Sequence, residues 1–281
     1  MQLTNILEKY IASSDIAEGT GQQYGYAVSS LVAFIGRDPA ANRVCTDVLN
    51  RWIAAQLDAG YSRRYVKNQR GAILTLLRFA QKLGAIKHLP ELVRPVKAPT
   101  CNPEAFTLAE VAAAMAFCRD VQGEFRCGLK RGPTLFALVS VAYFSGLRGC
   151  DLLGITKEMS ATELWAIRQQ KTGDFYYFAP PLEVRKAVAA ISLLPRKRLF
   201  PLTKKALWYW WERIEEAVGR QSSLKWLRRS GATHVEIAHP GSAQAYLGHR
   251  TPGLAWRHYI DRTQVQQRKP LPPSPLGEAG A

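Results

Sequence analysis

The chain has 281 residues, a length that predicts about two domains, and 47% of its residues are hydrophobic, which excludes a wholly disordered protein. Lysine and arginine number 38 against 22 aspartates and glutamates, so the formal net charge is +16. Such a positive excess in a folded chain favours a polyanionic partner, most often nucleic acid.

The first residues lack the basic and then apolar layout of a secretory signal peptide. No apolar run reaches the roughly 18 residues that a membrane span requires, so we expect no membrane partner. The five cysteines are widely spaced and form no Cys-x-x-Cys pair, which argues against a disulfide framework and against a zinc site. A reducing, cytoplasmic location on DNA is the simplest expectation.

Residues 1–88 are predicted to form a helical domain. Apolar residues recur there at helical spacing in four stripes, and Gly36, Gly60 and Gly84 end the last three. Because each stripe leaves one apolar face to bury, the four helices are expected to pack into one small four-helix domain.

The fourth predicted helix is strongly basic. The stretch 59–90 contains no acidic residue but carries Arg63, Arg64, Lys67 and Arg70. Like charges at this spacing repel each other on an isolated helix, and an adjacent phosphate backbone would relieve that repulsion. These four residues are therefore predicted to contact DNA, the alternative being an ordinary solvated face.

A linker is predicted over 89–104, which contains four prolines that block helix and central strand. A second domain follows over 105–263, opening with a capping box formed by Thr107 and Glu110. It reads as several helices with one β-hairpin over 163–179. The Pro/Gly-rich residues 264–281 are predicted to be a disordered tail. The expected fold is mainly α with a small β-hairpin (α+β).

Several polar motifs lie at element boundaries of the second domain. They are Gly-Leu-Arg-Gly-Cys-Asp at 146–151, Lys-Thr-Gly at 171–173, Lys-Trp-Leu-Arg-Arg at 225–229, Leu-Gly-His at 247–249, and a tyrosine at 259. Each alone is a weak signal. In this order and spacing they resemble the tyrosine recombinase (phage-type integrase) family, by motif over about 105–262 and by architecture alone over the helical domain.

The resemblance implies a core-binding domain, then a mixed α/β catalytic domain that cleaves and rejoins DNA through a covalent 3′-phosphotyrosine. Tyr259 would be the nucleophile, and Arg148 and Arg228 would clamp the scissile phosphate. Lys171 would protonate the leaving 5′-oxygen. The remaining implied positions are Lys225, where the family usually has histidine and sometimes lysine, His249, the second histidine, and Asp151, the acid that supports the first arginine.

Elementary chemistry agrees with these roles. Negative charge builds on phosphate oxygens during phosphoryl transfer, and guanidinium groups match phosphate by paired hydrogen bonds. The sequence has no clustered acids for a two-metal site, so neither a divalent metal nor another cofactor is expected. We expect His249 to be closest to proton handling, since Lys225 accepts a proton only if its pKa is lowered by neighbouring arginines.

Double-stranded DNA is the implied partner, and the family resemblance implies a homotetramer on paired sites during integration or recombination of mobile DNA. The segment after Tyr259 offers few apolar anchors for exchange between protomers, so the free protein can be a monomer. Two alternatives stay open: DNA relaxation of the type IB topoisomerase kind, and a catalytically inactive DNA-binding relative. The sequence does not indicate the target site.

Overall fold

The computed structural model of the protein describes residues 1–192, 196–249, 251 and 253–265. The chain divides into two compact units, Met1–Cys101 and Asn102–Ala281, and each has its own hydrophobic core. The structure is mainly helical with one small antiparallel hairpin, which confirms the predicted fold class. Within the described ranges, no helix is both long and apolar enough to cross a membrane.

The first unit is built from four α-helices, α1 (Leu3–Ser13), α2 (Glu18–Ile35), α3 (Thr46–Asp58) and α4 (Arg63–Lys82). Helix α4 contacts the other three and buries Val66, Ile73 and Leu77 at helical spacing. Burial of each such side chain contributes about 1.5–3 kcal/mol. Ser62 begins the helix, because its hydroxyl accepts the Tyr65 N–H at 3.2 Å.

The segment predicted as a linker, 89–104, contains no helix or strand. Its first part nevertheless belongs to the first unit, since Val93 and Val96 are each 6% exposed within that unit's core. Arg70 of α4 holds the segment in place by donating from Nη2 to the Val93 carbonyl at 2.9 Å. The proline-rich stretch is thus bound over part of its length.

The described part of the second unit contains nine helices, α5 (Leu108–Asp120), α6 (Arg131–Ser145), α7 (Gly149–Gly154), α8 (Lys157–Ser160), α9 (Leu182–Ile191), α10 (Lys204–Val218), α11 (Lys225–Ala238), α12 (Ala243–Tyr246) and α13 (Leu254–His258). Helix α6 contacts α5, α9 and α11 and is buried over most of its length, as expected of a central helix. The capping box at the start of α5 is present: the Thr107 hydroxyl accepts the Glu110 N–H, and the Glu110 carboxylate accepts the Thr107 N–H.

Two strands form the hairpin, β1 (Trp165–Arg168) and β2 (Phe175–Phe178). They pair antiparallel, with Trp165 opposite Phe178 and Arg168 opposite Phe175. Burial alternates along β1, with Trp165 and Ile167 inside, and it continues to Gln169, which is 4% exposed. The connecting loop carries Lys171 and ends in a turn at Gly173 (φ +73°).

Three short helices of the second unit, α7, α8 and α13, are absent from the sequence prediction. Each has four to six residues, too few for an apolar repeat to be visible. Two of them position residues of the candidate site, because Arg148 immediately precedes α7 and Tyr259 immediately follows α13. Most of the predicted tail, from residue 266 onward, lies outside the described residues.

Candidate active site

Arg228 lies on the inward face of α11 and is 3% exposed. Its Nη1 donates to the Gly146 carbonyl, and its Nη2 donates to the Leu247 carbonyl at 3.0 Å. Nη2 also lies 3.2 Å from Nε2 of His249. The buried Nε has no hydrogen-bond partner among the described residues. The guanidinium is therefore fixed by backbone oxygens on one edge and retains donor capacity for an anion.

The Gly146 carbonyl is available to Arg228 because α6 ends there. Gly146 adopts a left-handed conformation (φ +61°), which suits a residue without a side chain. A Cβ at this position would also lie 2.7 Å from the ring of Tyr246. The glycine of the Gly-Leu-Arg motif thus both terminates the helix and leaves room for the packed tyrosine.

Arg148 is the N-cap residue of α7 and is half-buried. Its Nη1 donates to Oε1 of Gln169 at 2.5 Å and lies 3.8 Å from Oδ2 of Asp151. Asp151 is 2% exposed, and its Oδ1 accepts the Gln170 N–H at 2.8 Å. The predicted partner Asp151 is therefore close to Arg148, and it also ties α7 to the end of β1.

Tyr259 directly follows α13, and its backbone N–H donates to the Ala255 carbonyl at 2.8 Å. The Arg228 guanidinium carbon lies 4.9 Å from the Tyr259 ring centre, and Lys225 Nζ lies 5.4 Å from it. Burial alone would raise the pKa of Tyr259, but the positive charges of Arg228, Lys225 and Arg148 outweigh it and lower that pKa. The phenol is thus surrounded by cations that favour its anion.

His249 packs beside the same tyrosine, with 5.0 Å between the two ring centres. Burial, followed by the charges of Arg228 and Arg148, lowers the pKa of His249 to about 4. The ring is therefore neutral at physiological pH. Because a guanidinium can only donate, Nε2 must accept from Arg228, which assigns the proton to Nδ1.

The two predicted lysines differ in their placement. Lys225 begins α11 and lies over the Tyr259 ring. Partial desolvation, assisted by the charges of Arg229, Arg228 and Lys171, lowers the pKa of Lys225. Lys171 is exposed on the loop between β1 and β2, within electrostatic reach of Lys225. Among the described residues, no hydrogen bond or ring contact joins Lys171 to Tyr259.

Tyr176 of β2 and Tyr246 of α12 form one wall of the site. The Tyr176 hydroxyl lies 2.8 Å from the Ser145 carbonyl and 3.0 Å from the Tyr246 carbonyl, and burial raises its pKa to about 12. The Tyr246 hydroxyl donates to the Tyr143 carbonyl. Both phenols are engaged with backbone oxygens, so neither is placed as a nucleophile.

Sequence reasoning missed Gln169 as the partner of Arg148. A signal was present, because the alternation Trp165, Ile167, Gln169 puts the amide on the buried face of the hairpin. A buried amide needs hydrogen-bond partners, and an adjacent arginine supplies one. Among the described residues, no group of three or more His, Cys, Asp or Glu side chains is placed to hold a metal ion.

Comparisons with known proteins identify the architecture. No protein-family model matches the chain, and no curated protein matches it. Among solved structures, a lambda integrase fragment (75–356), a dimer bound to a COC′ core site, has a TM-score of 0.77, covering 97% of this chain and 99% of that chain at 18% identity. The lambda integrase tetramer on a Holliday junction gives 0.76, with 97% and 80% covered at 16% identity. The Tn1549 transposon integrase (82–397) with circular intermediate DNA gives 0.68, with 95% and 100% covered at 13% identity.

The chain has the integrase fold. The predicted resemblance is thereby confirmed for the architecture over nearly the whole chain. Within this integrase fold, four of the sequence-predicted residues come together, namely Arg148, Arg228, His249 and Tyr259, with Lys225 over the tyrosine ring. Lys171 lies on the exposed hairpin loop, close enough for its charge to lower the pKa of Lys225.

The four basic residues predicted on α4 divide into two kinds. Arg63, Arg64 and Lys67 are exposed at the beginning of the helix. Arg70 is half-buried, and its Nη2 is engaged by the Val93 carbonyl. The first three side chains are thus exposed to solvent, whereas Arg70 holds the segment that follows α4.

Proposed function

We propose that the protein cleaves and rejoins DNA strands, with Tyr259 as nucleophile, in site-specific recombination or integration. The observation that carries this proposal is the position of the Tyr259 ring, which lies against Arg228, His249 and Lys225 at once. A tyrosine with a lowered pKa among fixed cations is what attack on a phosphodiester requires. The integrase fold supports the same conclusion.

In the proposed reaction the Tyr259 oxygen forms a bond to phosphorus, and the bond from phosphorus to the 5′-oxygen breaks. The product is a 3′-phosphotyrosine and a free 5′-hydroxyl. Arg148 and Arg228 stabilise the charge that develops on the non-bridging oxygens, by preorganised hydrogen bonds in a partly dry site. The reaction conserves the phosphodiester energy, so the 5′-hydroxyl of another strand can reverse it without a cofactor.

Proton movements complete the scheme. Lys171, on its exposed loop, is assigned to protonate the leaving 5′-oxygen once DNA is bound. For the Tyr259 proton, His249 is neutral, but its Nε2 lone pair faces Arg228 in the free protein. Lys225, with its lowered pKa and its place over the tyrosine ring, is the second candidate acceptor. The cations themselves lower the proton affinity of the phenol, so a strong base is not needed.

The proposed partner is double-stranded DNA, gripped through phosphates by Arg63, Arg64 and Lys67 in the first unit. Lambda integrase has been solved as a dimer on a core site and as a tetramer on a Holliday junction. We extend that assembly to this protein as a homotetramer on paired DNA sites, formed from chains that can be monomeric without DNA.

The proposal is tested with nicked duplexes tiled from the DNA that flanks the gene. Cleavage next to a nick releases a short strand and traps the covalent intermediate, which survives a denaturing gel. Wild type is expected to form this adduct, and Tyr259→Phe is expected to form none. Tyr177→Phe, at an exposed hairpin tyrosine, is the matched control and should react normally. Adduct formation by Tyr259→Phe would overturn the assignment.

A further inference from the structure

Tyr259 is held weakly by its own helix. Helix α13 has five residues, and the tyrosine contributes one backbone hydrogen bond to it, at its end. A single turn of this kind is marginal in isolation. The residues that follow Tyr259 are therefore expected to help fix the phenol, together with its ring contacts to His249, Arg228 and Lys225.

Asp261, two residues after Tyr259, is 3% exposed. Its carboxylate accepts hydrogen bonds from the beginning of the second unit and from the residues that directly follow it. Its Oδ1 accepts from Asn102 Nδ2 at 2.8 Å and from the Thr263 hydroxyl at 2.6 Å. Its Oδ2 accepts the Ala105 N–H at 3.1 Å and Gln264 Nε2 at 3.2 Å. One carboxylate thus joins the beginning of the second unit to its described end.

The backbone at Asp261 is also anchored. Its N–H donates to the Thr233 hydroxyl of α11 at 2.9 Å. Ile260, between the tyrosine and the aspartate, is fully buried in a cluster that includes Leu247 and Ala255. The segment after Tyr259 is therefore bound to the same helix that carries Arg228 and to the loop that carries His249.

The donors around this carboxylate are neutral amides and a hydroxyl, and none of the ion pairs between described residues involves Asp261. Hydrogen bonds to an ionised acceptor are about twice as strong as neutral ones. They outweigh burial and lower the pKa of Asp261. The carboxylate therefore stays ionised, and its directional hydrogen bonds fix the positions of the segments that donate to it.

We propose that Asp261 is a positioning residue that holds Tyr259 against the Arg228 and His249 of its own chain, by tying the segment after the nucleophile to Asn102 and Ala105. This inference rests on the proposed function, since it assigns Asp261 a role through Tyr259. A displacement of about 1 Å at a reacting atom can cost on the order of 100-fold in rate. Loss of the Asp261 hydrogen bonds should therefore slow cleavage and leave the affinity for DNA unchanged.

The experiment measures single-turnover adduct formation on a nicked duplex that wild type captures. Asp261→Ala and Asn102→Ala are expected to slow it about 10- to 100-fold and to leave the dissociation constant for DNA unchanged. Asp261→Asn, which keeps one acceptor oxygen, should fall between wild type and Asp261→Ala. The matched control is Thr203→Ala, which removes the N-cap of α10 and lowers stability without touching the segment after Tyr259.

Hydrogen exchange of the free protein supplies a second measurement that needs no activity. The backbone amides at positions 105 and 261 are expected to exchange faster in Asp261→Ala and at the wild-type rate in Thr203→Ala. If wild type forms no adduct on any duplex, the proposed function fails. Hydrogen exchange then remains as the test of whether Asp261 holds the segment after Tyr259 in place. If wild type reacts and Asp261→Ala reacts equally fast, or if its amides stay protected, the positioning role is overturned.

Discussion

The guanidinium carbon of Arg228 lies 4.9 Å from the centre of the Tyr259 ring, and the arginine is 3% exposed. A buried permanent charge is destabilising unless hydrogen bonds compensate for its lost hydration. The Gly146 and Leu247 carbonyls, at the ends of α6 and α12, accept from Nη1 and Nη2, and the buried Nε is left without a partner among the described residues. Arg228 therefore links the second unit's packing to its proposed chemistry.

Replacement of Arg228 by lysine should affect stability and activity together. Arg228→Lys keeps the charge but cannot reach both the Gly146 and Leu247 carbonyls in the same geometry. We expect the free energy of unfolding to fall by about 1–3 kcal/mol, the cost of leaving one buried acceptor unpaired. Adduct formation should fall by about 10²–10³, the usual cost of one lost oxyanion donor.

Arg229→Lys is the control for that change, one position along the same helix. Arg229 is half-buried and, among the described residues, donates one hydrogen bond, to the Glu104 carbonyl at 3.3 Å. Its replacement should leave both the thermal midpoint and the adduct yield near wild type. An Arg228→Lys protein as active as Arg229→Lys would contradict the central place given to Arg228.

The protonation of His249 gives a prediction about pH. With its pKa lowered to about 4, the imidazole stays neutral as pH falls through 6.5 and takes up a proton only in strong acid. A proton NMR titration of the ring should therefore show no change between pH 8 and 5.5. Arg148→Gln removes one of the positive charges that lower this pKa, so the titration should move to higher pH.

A titration midpoint near 6.5 for His249 in wild type would show that its imidazole is less buried, or surrounded by less positive charge, than in the structure. The cleavage rate should likewise show no inflection near pH 6.5 on account of His249.

The exposed cations of α4 predict the salt dependence of DNA binding. Each phosphate contact adds about 0.9 to the slope of log affinity against log salt. Neutralisation of Arg63, Arg64 or Lys67 singly, each to glutamine, should reduce the slope by about that amount, measured by fluorescence anisotropy on a duplex. Arg70→Gln should change the slope little and should instead expose the segment around Val93 to proteolysis, because it loses the hydrogen bond to that carbonyl.

The sequence was sufficient for the long elements and for the identity of the clustered residues. Apolar periodicity predicted α4 and the other long helices, and motif order selected Arg228 and Tyr259 among many arginines and tyrosines. A helix or a motif is encoded by residues that are close in sequence, so both can be recognised without knowledge of tertiary contacts.

What the sequence could not supply is contact between residues distant along the chain. Asp261 bonds to Asn102 across 159 positions, and Arg148 meets Gln169 across 21. Nothing in the spacing of a lone aspartate predicts such a partner, and the alternation along β1 places Gln169 on the buried face without identifying Arg148 as its partner. The four cations of α4 were likewise predicted as equivalent DNA contacts, whereas tertiary packing commits Arg70 to a backbone carbonyl.

Gly231 of α11 offers a final test, because it lies where α6, α11 and α12 come closest. A Cβ there would lie 2.6 Å from the Tyr143 carbonyl and would also overlap the Tyr246 hydroxyl. The tyrosine can move, but the carbonyl belongs to the backbone of the central helix. Gly231→Ala should therefore lower the free energy of unfolding of the second unit by about 1–3 kcal/mol, the cost of overpacking.

The same substitution at Gly25, inside α2, is the matched control. A Cβ there meets nothing within 4 Å, so Gly25→Ala should stabilise the first unit by about 0.5–1 kcal/mol through lower chain entropy. Denaturant unfolding of the full chain measures both. Because Tyr246 immediately precedes Leu247, whose carbonyl holds Arg228, Gly231→Ala should also slow adduct formation. Unchanged stability and rate in Gly231→Ala would show that the three helices are spaced more widely than the structure has them.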